Sequence, residues 1–139
     1  MSATTVADTA VDSQELYFEN GLPGFPDAHR FILVRWGEED SPFSLMHSVE
    51  HDGLEFVVVP PMVFFPDYAP EVDDSTVARL ELQTADDALL LTVVTLGEKP
   101  TDATANLMGP IVVNRHSRRA AQAVLASSGY ELRTPLVSI

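Results

Sequence analysis

Between Gln14 and Ala126 the chain breaks into short apolar runs whose side chains alternate in character, each closed off by a turn signal. This pattern constrains the fold more than any other feature. A period of two is the period of a strand, whereas a helix repeats every 3.6 residues. Gln14 to Asn20 reads as a first strand, ended by the turn signals Asn20-Gly21 and Pro23-Gly24. His29 to Trp36 reads as a second, with Ile32, Val34 and Trp36 on one face and Phe31 and Leu33 on the other. Phe43 to Val49 and Leu54 to Val59 flank a turn at Asp52-Gly53, and the latter stops at Pro60-Pro61, where the ladder loses its donors. Ala88 to Leu96 and Pro110 to Asn114 supply two more strands; Arg118 to Ala126 is ambiguous, since its Ala, Gln and Leu favour a helix, but it follows a turn at Asn114-Arg-His-Ser117 and alternates, and is read as a further strand. Between them, Asp73-Asp-Ser-Thr76 offers a helix N-cap for one short turn over Val77 to Leu80, and Leu80 to Thr84 alternates leucine with polar residues.

Many short strands with turns between them predict a mainly β protein, a sandwich or barrel. At 139 residues it is one domain over 14–139, preceded by a small, polar, acidic tail over 1–13 that is expected to be disordered. Phe31, Ile32, Val34, Phe56, Val58, Leu90, Val94 and Ile111 lie mid-strand and are the expected core.

Composition excludes whole classes of function. With no cysteine, disulfides, thiolate metal sites and cysteine catalysis are all ruled out. Met1 to Gln14 holds no Lys or Arg and no apolar run, so it does not read as a signal peptide. The longest apolar stretch, Ala88 to Leu96, is about half the roughly 20 residues of a membrane helix. A cytoplasmic, soluble protein is expected. Its formal net charge is −13. Met1 to Gly109 carries 20 acidic and 4 basic residues, and Pro110 to Ile139 carries 1 acidic and 4 basic. Such a body repels nucleic acid and anionic membrane and attracts a basic partner, although the same surplus also serves plain solubility.

The sharpest catalytic pattern is His47-Ser-Val-Glu-His51, an H-x-x-E-H match to the inverted zinc peptidases. That chemistry needs both histidines on one helical face with the glutamate as base. Here the pattern runs into strand sequence, where residues four apart lie roughly 13 Å from each other. A small metal-dependent hydrolase using His47, Glu50 and His51 is therefore the runner-up reading. His29 and His116 have no ligand-type companion and read as surface or strand-end residues. Asp73-Asp74 and Asp86-Asp87 are assigned to caps and turns. There is no Gly-rich phosphate loop, and Arg115, Arg118 and Arg119 make only a small basic turn. No catalytic, metal or cofactor site is expected.

Pro60-Pro-Met-Val-Phe-Phe-Pro-Asp-Tyr-Ala-Pro70 stands out because prolines frame two Phe and a Tyr. It can be a lid folded onto the core. It can also be a stiff apolar contact surface, since prolines lower the ordering cost of binding and aromatics anchor interfaces. Phe64 and Phe65 point to opposite sides of an extended chain. One is expected to fill the core, while the other joins Tyr68 against a protein partner and Asp67 fixes the turn.

These residues also carry a resemblance. Gly21-Leu-Pro-Gly-Phe25, Pro42-Phe43 with Ser48 and Glu50, Leu54 to Val59, Phe64-Phe65-Pro-Asp-Tyr68, Thr104-Ala-Asn-Leu107 and Gly109-Pro-Ile-Val-Val-Asn114 resemble, in order, the blocks of the FliW flagellar assembly factors. Gln122 with Val124-Leu125 completes the match, which runs from about Phe18 to Tyr130. The resemblance implies a compact antiparallel β-barrel with no active site and no cofactor. It implies binding to the translational regulator CsrA, relieving repression of flagellin mRNA, and binding to flagellin, which competes in effect. No direct contact with nucleic acid or membrane is implied. Asn106 and Asn114, in its C-terminal blocks, join Phe64, Phe65, Asp67 and Tyr68 as candidate partner-binding residues. This sequence departs from the family at His47 and His51, where Gln-like and Asp-like residues are expected.

Overall fold

The computed structural model describes residues 15–125 and 129–136, so the expected tail over 1–13 lies outside the described residues. The strands are β1 (Glu15–Phe18), β2 (Arg30–Arg35), β3 (Ser44–Ser48), β4 (Glu55–Val59), β5 (Ala88–Thr95), β6 (Thr104–Ala105), β7 (Ile111–Asn114), β8 (Arg119–Gln122) and β9 (Thr134–Pro135). One short helix, α1 (Asp74–Arg79), and single 3₁₀ turns at Pro61–Val63, Ala85–Asp87 and Pro100–Asp102 complete the described elements.

Strands β1 to β4 form a meander, β4 pairs with β5, β5 with β7, β7 with β8, and β8 returns to β1. The result is a closed seven-stranded barrel. Six seams are antiparallel; the one between β1 and β8 is parallel, with Tyr17 opposite Arg119 and Phe18 opposite Ala120. A parallel pair cannot be joined by a hairpin, and here the whole barrel serves as the crossover. β6 extends the free half of the β5 edge through Val94 and Thr95, and β9 pairs with β6.

The interior is filled by Leu16, Phe18, Phe31, Met46, Val58, Ile111, Val113 and Ala120, with Leu33, Phe56, Leu91 and Val93 packed against them. Phe18 meets Phe31 edge-on at 5.4 Å between centroids. Phe31, Val58, Val94 and Ile111 are thus buried as expected, and Ile32, Phe56 and Leu90 are half-buried. Val34 is 40% exposed, which corrects its assignment to the core. Phe31 and Leu33 take the interior face of β2, and strand alternation then turns Val34 outward. Trp36 is exposed for the same reason.

The outer wall of the barrel is also apolar along β4 and β5. Val59 and Val94 form a second cluster there with Ala103, against which Phe43, Val57 and Phe64 pack. The polypeptide from Pro60 to Pro70 covers this wall. Leu80 to Thr84, whose alternation resembled a strand, is irregular chain between α1 and the 3₁₀ turn. Leu82 N–H donates to Val77 O at 3.0 Å, and Asp87 claims the next two amides, so no ladder partner is needed.

Candidate functional site

The Pro-framed segment is built from local constraints. Pro61 opens a 3₁₀ turn, and the N–H groups of Phe64 and Phe65 donate to Pro61 O at 3.1 and 2.8 Å. Tyr68 N–H donates to Phe65 O at 3.0 Å, closing a second turn around Pro66 and Asp67. The two Phe side chains diverge as adjacent residues should, but neither faces out. Phe64 packs on the Val59 and Val94 cluster and tilts against Phe43 at 5.8 Å, which in turn meets Trp36 edge-on at 6.3 Å. Phe65 packs on Tyr68, Ala105 and Leu107.

Tyr68 is only 5% exposed, which corrects the expectation that its ring faces outward. Its hydroxyl donates to Leu107 O at 2.6 Å, and its ring meets Tyr130 edge-on at 4.8 Å. Burial, followed by the neighbouring Tyr130, pushes its phenol well above the usual tyrosine range. Asp67 stays exposed at the tip of the turn.

Asn106 and Asn114 both have structural work. Asn106 Oδ1 accepts from the N–H groups of Met108 and Gly109 at 3.1 and 2.9 Å. Asn114 is buried; its Nδ2 donates to Leu80 O at 2.8 Å while its Oδ1 accepts from His116 and Ser117 N–H. Beside Asn106, a Cβ on Gly109 would fall 2.9 Å from Gln122 Nε2 and 3.0 Å from Asn106 Nδ2, so the ends of these two side chains would have to shift to admit it.

Sequence reasoning missed Met62 and Val63. They project from the 3₁₀ turn, 48% and 53% exposed, because the turn rotates them off the wall that Pro61 and Phe64 cover. Met62 borders an open groove of about 760 Å³. Tyr68, Ala69 and Pro70 form one side, α1 and its flanks contribute Val72, Val77 and Leu82, and Leu89 and Leu90 of β5 form the floor. Its walls are pinned. Asp73 caps α1, accepting from Thr76 N–H at 3.3 Å and Thr76 Oγ1 at 2.6 Å. Asp87 Oδ2 accepts from Gln83 and Thr84 N–H, both at 3.0 Å. Hydrogen bonding to Thr76 holds the Asp73 carboxyl below the usual carboxylate range, and the Thr84 and Gln83 amides do the same for Asp87.

The zinc-like motif is taken apart by the fold. His47 lies on β3, and its Nδ1 sits 2.8 Å from Glu55 Oε2 across the ladder. His51 is in the following turn, where its Nε2 lies 3.2 Å from Asp27 Oδ1 without hydrogen-bond alignment. Glu50 accepts from the N–H groups of His29 and Arg30 at 3.2 and 3.0 Å. Partial burial pushes the Glu50 carboxyl up, but these amides outweigh it and hold it low. The three side chains serve three different contacts, and the helix that would bring them together is absent from β3. Among the described residues no group of three or more His, Asp or Glu converges to hold a metal ion.

The FliW protein family model matches residues 2–136. The chain belongs to the FliW family. It is 41% identical to the flagellar assembly factor FliW of Bacillus licheniformis over 125 residues, covering 90% of this chain and 87% of that one. It is 38% identical to the flagellar assembly factor FliW of Bacillus subtilis, with the same coverage. The crystal structure of a flagellar assembly factor FliW superposes with a TM-score of 0.85 at 32% identity, over 92% of this chain and 89% of that one. The FliW relatives are thus named as assembly factors, and the closed β-barrel is shared with a solved member. Among the described residues no helix is long and apolar enough to cross a membrane.

Proposed function

We propose that this FliW-family chain is a cytoplasmic, protein-binding regulator of flagellar assembly that catalyses nothing. It binds the translational regulator CsrA, relieving repression of flagellin mRNA, and it binds flagellin. The observation that carries this reading is the match to flagellar assembly factors along nearly the whole chain. The net charge of −13 supports it, because a regulator that grips RNA presents a basic surface and complementary potential speeds encounter. Of the candidate contacts, Asp67 meets a partner directly. Phe64, Phe65, Tyr68, Asn106 and Asn114 shape and hold the surface around it.

Affinity purification from the native host, with captured CsrA and flagellin quantified, tests the reading. Each partner is then titrated in purified form. Enrichment of both with saturable binding is expected. Failure of the purified proteins to bind either partner would overturn it.

A further inference from the structure

We propose that the groove between Met62, α1 and β5 docks a basic amphipathic segment of a partner protein. Its apolar side chains rest on Met62, Val72, Leu82 and Leu89, and its Lys or Arg residues face the carboxylates around the rim. This rests on the protein-binding reading above and adds where the chain binds and what chemistry it selects.

The groove itself offers the apolar contacts. Met62 and Leu89 are 48% and 37% exposed and border one depression of about 760 Å³. Apolar surface gathered in a concave site is where a ligand or partner recovers the hydrophobic gain of burial. The walls are already fixed, by Pro60 and Pro70 and by the carboxylate caps on α1 and on Gln83 and Thr84. A preformed site spends little on ordering itself.

The charged half selects the occupant. The stretch from Pro66 to Asp87, which supplies most of the wall, carries seven carboxylates (Asp67, Glu71, Asp73, Asp74, Glu81, Asp86 and Asp87) against the single Arg79. Asp67, Glu71, Asp74, Glu81 and Asp86 are exposed, and each sits within two residues of a groove-lining side chain. An acidic segment would meet repulsion from these carboxylates and a neutral apolar one would gain nothing from them; a cationic one is attracted. The chain's own first residues fit poorly, since Met1 to Gln14 holds Asp8 and Asp12 and no Lys or Arg. A second copy, also at −13, is repelled.

The test titrates the full chain with a labelled helical peptide bearing leucines on one face and lysines on the other. Its counterpart with glutamate in place of lysine is titrated in parallel. Met62→Ser and Leu89→Ser remove exposed apolar contacts; melting temperature and far-UV circular dichroism measured on each variant separate a lost contact from a lost fold. The lysine peptide is expected to bind saturably, with affinity about tenfold or more weaker in the double variant. Combined Glu71→Gln, Glu81→Gln and Asp86→Asn should weaken it and flatten its salt dependence. Equal binding of both peptides, or binding unaffected by Met62→Ser and Leu89→Ser, would overturn the proposal. So would a neutral apolar dye that saturates the groove while neither peptide binds, which would make it a small-molecule pocket. The same variants titrated with CsrA and flagellin separate the two readings. Unchanged partner affinity removes the groove but leaves the regulator; no partner binding even by the unaltered chain removes the regulator while the peptide result still decides the groove.

Discussion

Single side chains here divide between filling space and satisfying backbone. Tyr68 does both, and its role was only half legible. Its place among prolines and Phe residues marked an aromatic anchor, but nothing local shows that Leu107 O waits for its hydroxyl, because that carbonyl arrives from a distant part of the chain. Tyr68→Phe should therefore leave a buried carbonyl without its donor and cost about 1–3 kcal/mol in chemical denaturation. No loss would mean that water reaches Leu107 O. Phe31 and Val34 give a paired test on one strand. Phe31→Ala should cost about 3–5 kcal/mol, because Phe31 fills the barrel interior against Phe18 and Phe56. Val34→Ala should cost less than about 1 kcal/mol, since its face looks outward. Similar losses at both would place Val34 in a packed layer.

At the scale of elements, the positions of the strands were readable because period two, Gly and Pro are local signals. Asp73 was readable as a cap for the same reason. Which face of each strand turns inward was not, because β2 is apolar on both faces and only closure of the barrel decides between them. The β1–β8 seam was equally hidden, since Tyr17 and Arg119 stand at opposite ends of the chain. The caps predict a pH response. Asp73, Asp87 and Glu50 are held below their ordinary range in the folded chain. They contribute stability above about pH 4, where the unfolded chain's carboxylates are ionised too, and that contribution is lost as pH falls through their lowered values. Melting temperature should drop on acidification below about pH 4. Asp87→Asn should make the drop shallower, because one of the carboxylates that must be protonated is gone. An identical acid profile in the variant would show that the Gln83 and Thr84 contacts carry no linkage.

At the scale of the whole molecule, charge and shape separate in sequence and meet in the fold. The surplus of 20 acidic over 4 basic residues before Pro110 was plain from the sequence. That Asp67, Glu71, Asp74, Glu81 and Asp86 would lie exposed within two residues of the lining of an apolar groove was not, because Met62, Val77 and Leu89 come together to line it only in the fold. The closed barrel fixes this arrangement, so a partner meets a preset field with little rearrangement to await. A charged rim of this kind acts on the rate of encounter more than on the lifetime of the complex. On the function proposed above, association with CsrA should therefore slow markedly between low and physiological salt, as the screening length shrinks to about 8 Å. Dissociation should change little. Neutralising Glu71, Glu81 and Asp86 should lower the association rate at low salt and bring it close to the value seen at physiological salt. Stopped-flow measurement of both rates across that range decides the matter. If association is insensitive to salt, the carboxylates serve solubility alone and recognition lies in apolar contacts.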